Sequence, residues 1–363
     1  APGLEGVSIL DPSSDPAALA AAAARLAAAR AHAGLSVPAA AALIASDPTW
    51  FGTLLVAGGQ ADGLVSGAAH TTADTVRPAL QLLRGPREKQ QQAAVAAGTP
   101  TLALPTPGLV SSLFFMCLPS GVVAFSDCAL CVEPTPADLA AIALASAATA
   151  EAFGLGGSGA GSRGGGGSSA PSLPPIRVAL LSYSTADSGT GPAVDRVRAA
   201  AAIAAAAAPP GVAVEGPFQY DAATCPAVAA TKLSPAALAA SRVAGRANVL
   251  VFPSLEAGNI AYKAAQVSEG RARACVCAWP CLFPSPSASH TSSLSLSSKQ
   301  HAQAASGAVV VGPLLQGLAL GAANDLSRGC AVPDIVCTVA ATVLQARALQ
   351  ARRRAAGLAA GAA

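Results

Sequence analysis

Ile176-Arg177-Val178-Ala179-Leu180-Leu181-Ser182 is apolar everywhere except Arg177 and its last residue. A strand with one solvated face alternates apolar and polar residues; this run does not, so it reads as a strand buried on both faces. A glycine-containing turn follows, then a helix over Ala193–Ala208 and a second strand at Val212–Glu215. Strand, helix and strand in that order predict a crossover between parallel neighbours. In such sheets ligands sit beyond the carboxyl ends of the strands, so the polar segments after each strand are where chemistry is expected.

The same grammar extends in both directions. Val7–Leu10 reads as a short strand. Asp15 caps a helix with Pro16 at its first position, and Gly34 stops it. Ser36 opens a second helix. Asp62–Gly67 is a short strand, and Thr71–Arg84 has helical periodicity. Val110–Leu118 and Val122–Ser126 form a hairpin around Pro119-Ser120-Gly121. Thr135-Pro136 starts a helix that Gly154 ends. Further on, Val249–Phe252 and Val309–Gly312 read as strands, Ala257–Gln266 as a helix, and a last helix runs from about Pro333 to Arg354. The fold class is α/β with a mainly parallel sheet.

Two stretches break the pattern. Gly154–Pro175 has the Gly, Ser and Pro content of a linker. Val267–Ala305 carries a long serine tract and reads as an insertion of the kind a retained intron leaves.

Composition excludes several classes. The 363 residues are 52% hydrophobic and only 11% charged, which rules out a disordered chain. A net charge of +3 with no basic stripe argues against a nucleic-acid partner. Arg352-Arg353-Arg354 reads as cations at a helix carboxyl end. Pro105, Pro107, Pro119 and Gly121 interrupt the apolar stretch Leu102–Leu130, which reads as two buried strands rather than a membrane span. No secretory leader is visible. Nine cysteines in this length are not a disulfide scaffold. Cys128-Ala129-Leu130-Cys131 has redox or zinc half-site spacing, but a zinc site needs a second pair of ligands, and no metal is expected.

Five segments then match one family in order. They are Asp62–Gln81, with Ser66-Gly67-Ala68-Ala69-His70-Thr71-Thr72-Ala73-Asp74; Ser126-Asp127-Cys128-Ala129; Ala179–Gly189; Gly216–Lys263, discontinuously; and Gly312–Cys330, ending Asn324-Asp325-Leu326-Ser327-Arg328-Gly329-Cys330. Together they resemble the catalytic domain of phosphate acetyltransferase, of the phosphate acetyl/butyryltransferase family. The resemblance implies reversible transfer of an acetyl group between CoA and inorganic phosphate by direct attack in a ternary complex. CoA is then a substrate, with no tightly bound cofactor. It implies two α/β/α domains with a cleft between them, similar to isocitrate and isopropylmalate dehydrogenases: 1–143 plus 313–363, and 144–312. It implies a homodimer with small-molecule partners, located in the cytoplasm of a bacterium or in a plastid or mitochondrion of an alga. The family's opening strand and helix have no counterpart before Leu4, which would leave a sheet edge exposed.

Phosphate needs a fixed positive fork, a thioester carbonyl needs donors aimed at its oxygen, and the CoA thiol needs a base. Carried over by resemblance, Arg328 holds phosphate or developing charge, Ser327 donates to the carbonyl oxygen, and Asp334 takes the thiol proton. Arg77 serves the CoA or phosphate site. Ser66, His70, Thr71, Ser184, Thr185, Asn259, Lys263 and Asn324 are the further binding candidates. Read locally, Asp334 is also a first-turn carboxylate on a helix dipole, and His70 also a turn histidine. Two alternatives stand beside the acetyl reading: a butyryl-preferring acyltransferase, and a non-catalytic acetyl-CoA-binding regulatory domain.

Overall fold

The computed structural model describes residues 6–84, 108–118, 121–155, 175–278 and 309–355. Eight strands form one sheet: β1 (Gly63–Ser66), β2 (Ser111–Leu118), β3 (Gly121–Ser126), β4 (Ile176–Leu181), β5 (Val212–Phe218), β6 (Val249–Val251), β7 (Val309–Gln316) and β8 (Ala322–Asp325). Their spatial order is β1-β8-β7-β2-β3-β6-β4-β5. The half containing β3, β6, β4 and β5 is parallel, as is the β1–β8 pair. Antiparallel β7 and β2 join the two, so the sheet is mixed, with four parallel pairings and three antiparallel ones among the described residues.

The helices are α1 (Pro16–Ala29), α2 (Val37–Ser46), α3 (Pro48–Ala57), α4 (Thr72–Leu82), α5 (Pro136–Ala152), α6 (Pro192–Ala207), the short α7 (Tyr220–Thr224), α8 (Pro226–Lys232) and α9 (Pro235–Ala240), α10 (Leu255–Ala278) and α11 (Val332–Ala355). Asp15 caps α1, Ser36 caps α2, and Thr135 with Asp138 makes a reciprocal capping box on α5.

The pleat explains why the central residues of β2 and β4 are apolar on both faces. Leu113, Phe115, Val178 and Leu180 face α5 and α6, packing on Leu139, Ile142, Leu144, Val197 and Ala200. The alternate residues Phe114, Met116, Ala179 and Leu181 face the opposite layer with Phe218, Leu250 and Phe252. There the Phe114 and Tyr262 rings stack with centroids 4.4 Å apart. Ten of the residues of α5 are buried, six of them alanines and the others Leu139, Ile142, Leu144 and Ser146, so this helix seats close to the strands. A separate cluster joins α1, α2 and α3 through Leu26, Ile44, Trp50 and Leu54.

Several expectations need correcting. Val7–Leu10 is not a strand; it pairs with nothing among the described residues, and Val7, Ile9 and Leu10 are exposed. With no neighbouring strand to complete a ladder, a four-residue apolar run has no reason to extend. β1 therefore lies at one edge of the sheet. Helix α3 and strand β8 were not anticipated. The first carries the same signal as α1, since Asp47 Oδ1 accepts the Thr49 amide at 2.9 Å ahead of Pro48. Asp47→Ala is expected to lower stability by about 1 kcal/mol, the ordinary cost of losing a cap, read from a thermal or denaturant melt. Helix α10 runs to Ala278, into the stretch read as an insertion. The rest of that stretch and most of Gly154–Pro175 lie outside the described residues.

Helix α11 is long and apolar enough to cross a membrane by composition. It packs on the sheet through a polar seam instead: Thr342 and Gln345 accept from Asn324 Nδ2 at 2.8 and 2.6 Å. Its last turn carries Arg352, Arg353 and Arg354 at the negative end of the dipole.

Candidate active site

β1 and β8 are parallel neighbours in register, Ser66 opposite Asp325. Their carboxyl ends therefore release two loops side by side. One is Gly67–Thr71, entering α4; the other is Leu326–Ala331, entering α11. The Leu326 amide donates to the Ser66 carbonyl at 2.7 Å and pins the loops together where they leave the sheet. Gly67 stands at φ +110° with Asp325 Oδ1 and the Leu326 backbone where a side chain would begin, so only glycine fits.

Ser327 and Arg328 are exposed in the second loop, and the Cys330 amide closes a turn onto the Ser327 carbonyl at 3.0 Å. Asp334 lies in the first turn of α11, and its Oδ2 accepts the Ala331 amide at 2.8 Å, as the local reading expected. Thr71 caps α4 with Asp74 in a reciprocal box, so its hydroxyl serves the helix end. The Thr71 hydroxyl and amide hold the Asp74 carboxyl below its ordinary range. His70 Nε2 stands 4.0 Å from Asp47 Oδ1, and Ser66 Oγ is 3.5 Å from Thr49 Oγ1.

Beside α4 opens a cavity of about 740 Å³. Thr72, Val76 and Arg77 of α4 line it, with Arg84 just beyond the helix, Arg30 and His32 from the connection between α1 and α2, and Ala129-Leu130. Arg30, Arg77 and Arg84 are cations and no carboxylate is among the lining residues, so the cavity suits a polyanion. Sequence reading found Arg77. Arg84 follows it by seven residues, two helical turns on the same face, and was legible by that spacing. Arg30 and His32 reach the cavity only through packing of α1 on α3, which no local pattern announces.

Other candidates lie elsewhere. Ser184 and Thr185 are buried and spent on their own turn: the Thr185 amide donates to Ser188 Oγ at 2.9 Å, and Thr185 Oγ1 pairs with Gln219. Asn259 Nδ2 donates to the Cys128 carbonyl at 3.1 Å, while Lys263 is exposed over the Tyr262 ring at 5.1 Å. Asn324 is fully buried, its Oδ1 accepting the Leu315 amide at 2.9 Å and its Nδ2 engaged by α11. Its amide knits β7, β8 and α11 together and is not turned to the cavity. Cys128 and Cys131 are free thiols whose burial pushes them well above the ordinary range. Among the described residues no group of three or more His, Cys, Asp or Glu is arranged to hold a metal.

The sequence model of the phosphate acetyl/butaryl transferase family matches residues 3–157, 170–274 and 292–343. The chain belongs to this family. Among its relatives, the phosphate acetyltransferase of Nitratidesulfovibrio vulgaris is 38% identical over 303 residues, covering 84% of this chain and 32% of the relative. That of Corynebacterium glutamicum is 37% identical over 303 residues, 84% of this chain and 68% of the relative. The chain thus spans about a third of the length of the first relative and two thirds of the second. Among solved structures, the EutD phosphotransacetylase from Staphylococcus aureus superposes with a TM-score of 0.63 at 32% identity, over 94% of this chain and 80% of that one. For a phosphate acetyl/butaryl transferase, the cationic cavity and the Ser327-Arg328 loop are the parts of this surface that fit the family's chemistry.

Proposed function

We propose that this chain catalyses reversible acetyl transfer between CoA and inorganic phosphate. The observation that carries the reading is the adjacency of two loops at the β1 and β8 ends, one holding Ser327 and Arg328, the other entering the helix whose Arg77 lines an anion-suited cavity. Arg30, Arg77 and Arg84 receive phosphates of CoA in that cavity. Arg328 offers a bidentate fork to inorganic phosphate or to the acetyl phosphate group. In the direction of acetyl-CoA formation Asp334 takes the thiol proton and sulfur attacks the acetyl carbonyl. The carbon–sulfur bond forms, the carbon–oxygen bond to phosphate breaks, and phosphate leaves with its electron pair. Ser327 donates to the carbonyl oxygen as charge grows there. Both substrates sit together, so no acyl-enzyme is required.

The same reading carries a homodimer, a first domain of 1–143 plus 313–363 and a second of 144–312, and small molecules rather than nucleic acid or membrane as partners. The test is formation of acetyl-CoA from acetyl phosphate and CoA by the purified chain, followed by thioester absorbance. Turnover is expected, faster with acetyl than with butyryl phosphate. A folded chain with no turnover in either direction sinks the reading, and a preference for butyryl phosphate replaces the acetyl substrate with the longer one.

A further inference from the structure

Asp325 ends β8, one residue before the loop that carries Ser327 and Arg328. It is 1% exposed, and its Oδ1 is buried without a hydrogen-bond partner. Thr75, on the first turns of α4, is likewise buried. The Thr72 and Thr75 side chains lie alongside the Asp325 carboxyl, and Gly67 packs directly on Oδ1. Burial pushes this carboxyl above the ordinary range, against the lowering effect of the two threonines and the Leu326 amide. A buried carboxylate with an idle oxygen is a cost to the fold. A neutral side chain of the same shape would avoid it.

What the carboxyl gains is position. On one side it meets the Gly67 turn and the start of α4; Thr72 touches it there while also lining the cavity with Arg77. On the other side it is the root of the Ser327-Arg328 loop. We propose that Asp325 is a positioning residue for acyl transfer, its carboxyl holding the cavity wall of α4 and the Ser327-Arg328 loop in fixed relation. This rests on the function proposed above. The cavity would bind CoA whether or not the tie exists, but the reacting groups meet only if the two loops keep their spacing. A displacement of about 1 Å is enough to cost two decades in rate.

The experiment compares Asp325→Asn with the parent chain. Expected are a fall in kcat of about ten- to hundred-fold, from misplacement alone, a KM for CoA nearly unchanged, and a melting temperature equal or higher at neutral pH. Amide hydrogen exchange should quicken in residues 67–72 and 326–330 and nowhere else. Thr72→Val, at an exposed position of the helix, should lower kcat in the same direction and serves where Asp325→Asn does not fold. Unchanged kcat in a folded variant overturns the proposal, and so does a melting temperature that falls in step with kcat, which marks a structural role only. If the parent chain shows no turnover, the proposed function fails by itself. The exchange pattern then decides the tie, and unchanged exchange in both segments overturns it.

Discussion

On the function proposed above, replacing Arg328 with alanine is expected to lower acetyl transfer by about two decades or more, the usual cost of deleting a preorganised group that meets developing charge. The melting temperature should not move. Arg328 is exposed on its loop, and the turn it belongs to is closed by backbone, the Cys330 amide on the Ser327 carbonyl. Nothing in the core loses a partner when the side chain goes. Arg328→Lys separates charge from shape: lysine restores a cation but not the planar fork, so it recovers only part of the rate. The measurement is steady-state acetyl-CoA formation with both substrates varied. A near-parental rate for Arg328→Ala removes this residue from the mechanism and leaves the phosphate to Arg77 and Arg84 on the cavity wall.

The residues that sequence reading placed well are those whose role is local. Asp15, Ser36 and Thr135 cap helices because an N-cap needs only its own next three residues. The hairpin of β2 and β3 follows from two apolar runs and a short turn. Strand β8 was missed because Ala322-Ala323-Asn324-Asp325 contains no β-branched or aromatic residue; it is extended by pairing with β1, a tertiary effect that overrides propensity. The antiparallel pairing of β7 with β2 and β8 was missed for a related reason: strand direction is set by which neighbour accepts the edge, and an apolar run carries no arrow. Ser327, Arg328 and Arg77 were singled out by their motifs, and they lie on an exposed loop and on a cavity wall. The burial of Asn324 was not legible, because the groups that satisfy it sit on α11, eighteen and twenty-one residues further along. Asp325 looked like one more polar motif residue until its neighbour across the strand pair proved to be Ser66.

Asp127→Ala is expected to do the opposite of Arg328→Ala and act on the fold. Asp127 is buried, and its carboxylate accepts the Ser112 hydroxyl and three successive amides: Ala129 at 2.8 Å, Leu130 at 3.2 Å and Cys131 at 2.9 Å. One side chain thus ties the whole turn between β3 and α5 to strand β2. Alanine leaves those donors without acceptors in partly buried surroundings, a loss of about 3 kcal/mol or more. A fall of about 6–12 °C in melting temperature corresponds to that loss. The turn also supplies Ala129 and Leu130 to the wall facing Arg77 and Arg84, so the KM for CoA should rise along with the instability. Asp127→Asn keeps one acceptor and points an amide donor at a donor, and should fall between the two. If Asp127→Ala melts with its parent, water satisfies the three amides and the carboxylate is not what shapes the turn. The distinction matters because Ser126-Asp127-Cys128-Ala129 and Asn324–Cys330 both lie in segments that match the family in sequence. On the function proposed above, one shapes a wall and the other presents reactive groups, and paired stability and rate measurements tell such motifs apart.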